Sequence, residues 1–553
     1  MTYLFILPEL LKKLANVKYI SKNLVWIILF AMVAAAWTAG LFIDLTGDAG
    51  LYAAISRQMV ESGDWLNLYI NGRPYDHKPH LLFWLSGSGI SLFGNNNFAF
   101  KFFPFLVGLS GVYFTYRFAR LLYSETAGRL AALFTATSLM YFLYLHDIHT
   151  DTVLQAVVTL SLWQLTEYLK NRKNLNFFVS FLAIGLAMIT KGPIGAFVPF
   201  LCVFIFLLVN KDYTQLFHIK WVAGVLIALL VASPVLYQLY RNFGVEGLKF
   251  YFIDNNIGRI TGRVAGSNSD PFYYLHNLLW ALLPWTLPVL AGLFLEIKSW
   301  RKKGLLSSFQ VALLISIIIT LAILSIARGK APNYILMLVP SLIAIASGRL
   351  VPAAGELKNL VKAQAVVIVI MFLLLLFLLV IDNFSNLWLA GMLLVVSAFI
   401  IIRVHKIGMQ PEKRMLVWSL LVAAVFNFFL NVQVLPHLFS YQGARQALAI
   451  YEKQRIKQGK LKSLHLEEYE LYYWAIAPVE DLTTWEEFNE FLQTENPWVY
   501  TNSIGLESVK ELTSDIDTIY TIPQSGMNSI KLKFLLPSTR QQVLKDNYLV
   551  KIR

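Results

Sequence analysis

With 553 residues, 57% of them hydrophobic and only 14% charged, the chain is too apolar for a soluble globular protein, which sits near half apolar and a quarter charged. Its net charge of +14 invites nucleic acid, but Lys and Arg gather in short loops between apolar runs, as cytoplasmic loops of membrane proteins do, and nucleic acid is excluded as a partner. The single Cys202 lies in an apolar run and leaves neither a disulfide framework nor a thiolate metal site.

Residues 1–23 read as a basic amphipathic leader on the cytoplasmic face. Lys12, Lys13, Lys18 and Lys22 precede a span too long for a cleavable signal, so the leader is expected to be retained. Apolar runs of about 20 residues, the length that crosses a hydrocarbon core as helix, fall at 24–43, 98–120, 128–146, 152–170, 175–190, 194–210, 219–240, 275–297, 306–327, 333–349, 363–381, 387–403 and 415–435. These are about 13 spans, grouped as a membrane domain over 1–435. The alternation of positive charge puts Arg117/Arg120, Lys170–Lys173, Lys211–Lys220, Lys298–Lys303, Arg349–Lys362 and Arg403–Arg414 inside. It puts 44–97, 147–151, 191–193, 241–274, 328–332 and 382–386 outside. An odd number of spans also leaves 436–553 outside. That tail carries 13 basic and 15 acidic residues. Strand-like runs at 498–501, 518–521 and 530–535, with helical runs at 443–458 and 483–494, predict a small α/β domain.

The first outer segment, 44–97, is the most distinctive. AISRQMVESGDW predicts a surface-lying helix, with Ile55, Met59 and Val60 on one face and Arg57 and Glu61 on another. Asn71-Gly72-Arg73-Pro74 predicts a turn. Asp48 stands at a helix start, where a carboxylate serves either as an N-cap or as a general base toward a hydroxyl. His77-Lys78-Pro79 and His146-Asp147-Ile148-His149-Thr150-Asp151 offer divalent-metal ligands or ordinary loop hydrogen bonds, and no spacing matches a closed structural zinc site. Against the positive-inside pattern, the outer loops keep Lys78, Lys191, Arg241, Lys249, Arg259, Arg263, Arg328 and Lys330 close to span ends. Cations held there face a cavity or a partner, and an anionic lipid-linked substrate is the simplest partner.

In order and spacing, Asp48-Ala-Gly-Leu-Tyr-Ala, Ser62-Gly-Asp-Trp65, Asn71-Gly-Arg-Pro-Tyr75 and His77-Lys-Pro79 resemble the first outer loop of the GT-C glycosyltransferases that use polyprenyl-phosphate sugars. That superfamily includes the protein O-mannosyltransferases and the lipid A aminoarabinose transferase. Gly329-Lys-Ala-Pro-Asn-Tyr334, followed by Pro340, resembles its later Lys…Tyr motif. The resemblance implies a mainly α, polytopic GT-C fold with a C-terminal α/β extramembrane domain. It implies that Asp48 is the catalytic carboxylate, that Lys78 faces the carrier phosphate, and that Lys330 and Tyr334 lie near it. Arg259 or Arg263 takes the place of the Arg of the long outer loop. Asp151 matches a further outer carboxylate, and His77 stands where the aminoarabinose transferase has a metal-holding Glu. His77 and Asp151 are therefore the candidate ligands for a divalent metal (Zn, or Mg/Mn). The chain departs from the family at Ala49, where a second acid is usual, and at Asn268-Ser269-Asp270, where the family has a His.

The expected function is inverting transfer of a sugar from a polyprenyl-phosphate donor to a lipid A, protein or glycan acceptor, by a monomer in the bacterial inner membrane with its site facing the periplasm. No Gly-rich phosphate loop is present, and no nucleotide is expected. The alternatives are a lipid-linked glycan transporter or flippase, and a non-catalytic membrane assembly protein.

Overall fold

The computed structural model describes residues 17–262, 268–300, 308–353, 357–383, 385–454, 459–527 and 530–553. The expected leader up to residue 16 and Arg263 lie outside the described residues, as do parts of the basic inner loops at 301–303 and 354–356.

Each expected span coincides with a helix or a pair of helices, from Val17–Gly40 to Pro411–Phe429. Among the described residues, eight helices are long and apolar enough to cross a membrane. They become nine if Tyr273–Ala281 and Thr286–Ser299, bent by 120°, form one span. The count of about 13 is therefore higher than the number of helices able to cross alone, for three local reasons. Ile194–Val209 and Val339–Leu350 are apolar but short. The run 128–146 is broken at Ser138 into Glu125–Thr137 and Leu139–Tyr144. Helix Thr150–Asn171 is long but polar, with Thr150, Asp151, Gln155, Thr159, Ser161 and Thr166 all buried. It sits between Asn97–Leu122 and Asn174–Lys191, and a helix enclosed by others needs no lipid-compatible face.

The first outer segment lies on top of these helices. Asp48–Ser62 is followed by a hairpin of β1 (Tyr69–Ile70) and β2 (Arg73–Pro74), paired antiparallel. Asn71 (φ 51°) and Gly72 (φ 74°) form its turn, the two positive-φ positions that an Asn-Gly hairpin supplies. The expected turn is present, but the expected surface-lying helix is not. Ala49, Gly50, Tyr52, Ala53, Ala54, Ile55, Ser56, Arg57 and Met59 are all buried.

The tail covers that helix. Its five-stranded mixed sheet runs in the order β4-β3-β5-β7-β6. The strands are β3 Lys460–Leu464, β4 Glu480–Asp481, β5 Pro497–Thr501, β6 Ile516–Gln524 and β7 Lys545–Ile552. Strands expected at 498–501 and 518–521 are found, as are helices Gly443–Gln454 and Trp485–Leu492. The run 530–535 is not a strand and contains the short helix Leu532–Leu535. β3 and β7 were not anticipated: Lys-Leu-Lys-Ser-Leu and the polar end of the chain carry too little apolar periodicity, and their pairing with β5 supplies the order.

Arg57 explains why the helix is buried. Its guanidinium donates to the backbone carbonyls of Tyr472 (3.1 Å) and Tyr473 (3.1 Å), and also to those of Ala475 and Ile476, at the C-terminal end of helix Tyr469–Trp474. Those carbonyls have no partners inside their own helix, and a cation there also faces the negative end of the helix dipole.

Candidate active site

A cavity of about 640 Å³ opens between the first outer segment, the outer ends of the membrane helices and Tyr469 of the tail. Asp48, Tyr75, Lys78, Asp151, Lys191, Arg259, Lys330 and Tyr334 are among its walls. Below it a narrower space of about 120 Å³ shares Lys78, Lys191, Arg259 and Tyr334 with the cavity, then passes between Leu154, Ile194, Ile260, Ile323, Leu324 and Met337. The cavity is thus polar at its mouth and continues into an apolar slot between membrane helices.

Local chain physics places each group. Gly47 takes φ 52° and ψ −118° before the helix that begins at Asp48, a conformation glycine adopts without steric cost. Gly47 occupies the N-cap position and Asp48 is the first residue of the helix, so the N-cap alternative falls away. The carboxylate is 61% exposed, accepts from the Tyr52 hydroxyl at 3.3 Å, and has His149 Nδ1 at 3.9 Å. His149 Nε2 in turn lies 3.1 Å from Asp147 Oδ2. Burial opposes charge on that imidazole, but Asp147, by charge and hydrogen bond, and Asp48 hold it above the ordinary histidine range. The imidazole thus stands between the carboxylates of Asp48 and Asp147.

Lys78 lies in a bend and is followed by Pro79, which disfavours helical backbone before it. Among the described residues its ammonium makes no hydrogen bond and no ion pair. Burial, then the nearby charges of Lys191 and Arg259, push it down to about 7, with Asp151 and Asp48 pulling the other way. Such a group lacks an anion. Arg259 donates to Asn255 Oδ1 (3.0 Å) and to the Tyr334 hydroxyl. Its loop is held by backbone hydrogen bonds from Gly329 N to Arg259 O (2.9 Å) and from Arg328 N to Ile260 O (3.3 Å). Lys191 Nζ lies 4.0 Å from the centre of the Tyr334 ring, a cation–π contact.

Three expected residues have other partners. Lys330 lines the cavity, but its ammonium donates to the carbonyls of Asn268 (3.1 Å) and Asp270 (2.6 Å), tying down the outer loop. Asp151, 1% exposed, accepts from Lys191 Nζ at 2.6 Å on both oxygens and from Asn333 Nδ2 at 2.7 Å. His77 is largely exposed, paired with Asp76 (2.8 Å) and stacked on Tyr75. Among the described residues, no group of three or more His, Cys, Asp or Glu side chains could hold a metal ion. The His77 and Asp151 pairing expected for a divalent metal therefore does not assemble into a donor set, because Asp151 already holds an ammonium and His77 a carboxylate.

Of the other outer cations, Arg241, Lys249 and Arg328 line neither space, and Lys249 pairs with Glu246 on the surface. Lys191 was visible only as one anomalous cation among eight. His149 and Asp147 were visible only as part of a polar run. The Asp151–Lys191 pair joins residues 40 positions apart, and no local pattern marks it. Lys191→Met is expected to cost about 3–5 kcal/mol by leaving the Asp151 carboxylate buried with Asn333 alone. Adding Asp151→Asn should recover most of that loss, and thermal unfolding of the purified protein in detergent checks both.

A solved structure of ArnT from Cupriavidus metallidurans bound to undecaprenyl phosphate superposes on this chain with a TM-score of 0.74 at 19% identity, covering 95% of this chain and 97% of that one. The fold is GT-C. The apo form of the same ArnT gives a TM-score of 0.73 at 20% identity. The family model described as dolichyl-phosphate-mannose-protein mannosyltransferase matches residues 77–238, which carry Lys78, Asp151 and Lys191 of the GT-C cavity. By sequence the chain is 26% identical over 297 residues to the undecaprenyl phosphate-alpha-4-amino-4-deoxy-L-arabinose arabinosyl transferase of Wigglesworthia glossinidia brevipalpis, covering 52% of this chain and 51% of that one. It is 30% identical over 305 residues to the corresponding transferase 1 of Pseudomonas fluorescens, covering 54% of each. An uncharacterized protein of Aquifex aeolicus is 29% identical over 296 residues. The chain spans about half the length of the curated relatives it matches. The likeness to GT-C glycosyltransferases read from the outer-loop motifs is thus found again at the level of the fold.

Proposed function

We propose that this multi-pass membrane protein is a glycosyltransferase that moves a sugar from a polyprenyl-phosphate donor to a lipid, protein or glycan acceptor at the periplasmic face of the bacterial inner membrane. The observation that carries the reading is the asymmetry of one cavity. Lys78, Lys191 and Arg259 line it where it meets the apolar slot, and a half-exposed carboxylate, Asp48, opens to the polar side. A polyprenyl chain fits the slot, its phosphate meets the cations, and the sugar faces Asp48. The relatives named above as arabinosyl transferases, and the ArnT structure bound to undecaprenyl phosphate, support the same donor class.

The chemistry is a single inverting displacement. Asp48 takes the proton of the acceptor hydroxyl as its oxygen attacks the anomeric carbon. The bond from that carbon to the phosphate oxygen breaks, and its electron pair stays on the phosphate. Lys78 and Arg259 stabilise the charge gathering there, with Tyr334 orienting the guanidinium. No step passes through a metal. Transfer is accordingly expected to survive exhaustive chelation at its full rate; restoration of a lost rate by Zn²⁺ or Mn²⁺ would contradict this.

The deciding experiment supplies the purified protein in lipid vesicles with an undecaprenyl-phosphate-linked aminopentose and lipid A. Free undecaprenyl phosphate and a glycosylated acceptor of inverted anomeric configuration should appear together. A translocating protein would leave the donor chemically intact. Mass spectrometry of lipid A and envelope proteins, with and without the protein in cells, identifies sugar and acceptor.

A further inference from the structure

The segment from Asp44 to Asp48 joins the first membrane helix to the helix that starts with the proposed base, and the tail holds it at three successive points. Arg445 Nη1 lies 2.7 Å from Asp44 Oδ1. Gln442 Nε2 donates to the Leu45 carbonyl at 2.8 Å. Glu470 Oε1 accepts from the Gly47 N–H at 2.5 Å. Gly47 is the residue whose left-handed backbone (φ 52°) turns the chain into Asp48. On the other side of the same carboxyl, a Cβ added to Gly50 would lie 2.7 Å from Glu470 Cδ. Gly50 is therefore bare where the glutamate needs room. Tyr469, the neighbour of Glu470, is itself part of the cavity wall.

We infer that Glu470 is a positioning residue for transfer: by fixing the Gly47 peptide from the tail, it sets where the Asp48 carboxylate points. The inference rests on the reading of Asp48 as the base. Glu470 touches no substrate and acts only through the Gly47–Asp48 turn. Burial pushes its carboxyl up to about 7, and a carboxyl oxygen accepts from the Gly47 N–H in either protonation state. Glutamine, with an amide oxygen in the same place, should therefore stand in for it.

The test measures kcat and donor KM of the full-length protein for Glu470→Ala, Glu470→Gln and Gly50→Ala. Displacement of a reacting group by about an ångström costs up to about 100-fold. Glu470→Ala is thus expected to lower kcat on the order of 10- to 100-fold, with donor KM changed less than about twofold. Glu470→Gln should retain most of the rate. Gly50→Ala, with Glu470 intact and a better helix former in place, should show the loss seen in Glu470→Ala, and it carries the test if Glu470→Ala does not fold. In an Asp48→Asn background, Glu470→Ala should produce no further loss. A wild-type kcat in Glu470→Ala or Gly50→Ala overturns the inference, and so do equal losses in the Ala and Gln variants. If Asp48→Asn alone keeps the wild-type rate, the reading of the base fails, whatever the Glu470 variants do. If Asp48→Asn is inactive and Glu470→Ala is not impaired, only the positioning role fails.

Discussion

Asp48→Asn is expected to lower transfer by about 10²- to 10⁴-fold, the range that a positioned general base contributes. The substitution keeps the shape and the acceptor oxygen for the Tyr52 hydroxyl, which lies 3.3 Å from Oδ2 in the wild type. It removes the one property the mechanism needs, a lone pair able to take and hold the acceptor's proton. The position is 61% exposed and caps nothing. Stability should consequently stay within about 0.5 kcal/mol of wild type, as for an ordinary surface change. The pattern to look for is a kcat loss with donor KM and thermal midpoint unchanged, read by single-turnover transfer from a polyprenyl-phosphate sugar. A near wild-type rate would remove Asp48 from the mechanism. His149→Gln should give a smaller loss, because it takes away the imidazole beside the carboxylate without removing the carboxylate itself.

Lys78 should make donor binding depend on pH. In the empty cavity, burial and the charges of Lys191 and Arg259 hold its ammonium at about 7. A bound phosphate favours the charged form, so its value in the complex lies higher. The sign follows from that difference. Below pH 7 the site is already charged and binding is at full strength. Above pH 7 each bound donor must bring a proton back, and affinity falls by up to about tenfold per pH unit until the higher value of the complex is reached. A sugar phosphodiester keeps one charge across this range, so the slope belongs to the protein. Lys78→Arg, charged at every accessible pH, should flatten the profile. Lys78→Ala should flatten it too, at weaker affinity throughout. Donor KM measured from pH 6 to 9 in the three proteins checks this, and an unchanged slope in Lys78→Arg would assign the titration to another group.

The pattern of apolar runs and basic loops determined the membrane architecture because crossing a hydrocarbon core imposes a length and a composition that survive any tertiary context. The same alternation puts the loops that carry Asp48, Lys78, Asp151, Arg259 and Lys330 on one side, and the five line one cavity with Tyr334. What each group does there was decided by contacts between distant parts of the chain. Arg57 reads as a solvated charge on an amphipathic helix, yet it caps a helix 415 positions away. Lys330 reads as a phosphate ligand and ties a loop. Asp151 reads as a metal ligand and holds Lys191. Glu470, 423 positions from Gly47, has no sequence signal at all. A charged side chain's identity fixes only what it can bind. Which neighbour meets it, and whether water is excluded, is set by the folded chain, and in a buried site those two conditions decide between a ligand, a base and a strut.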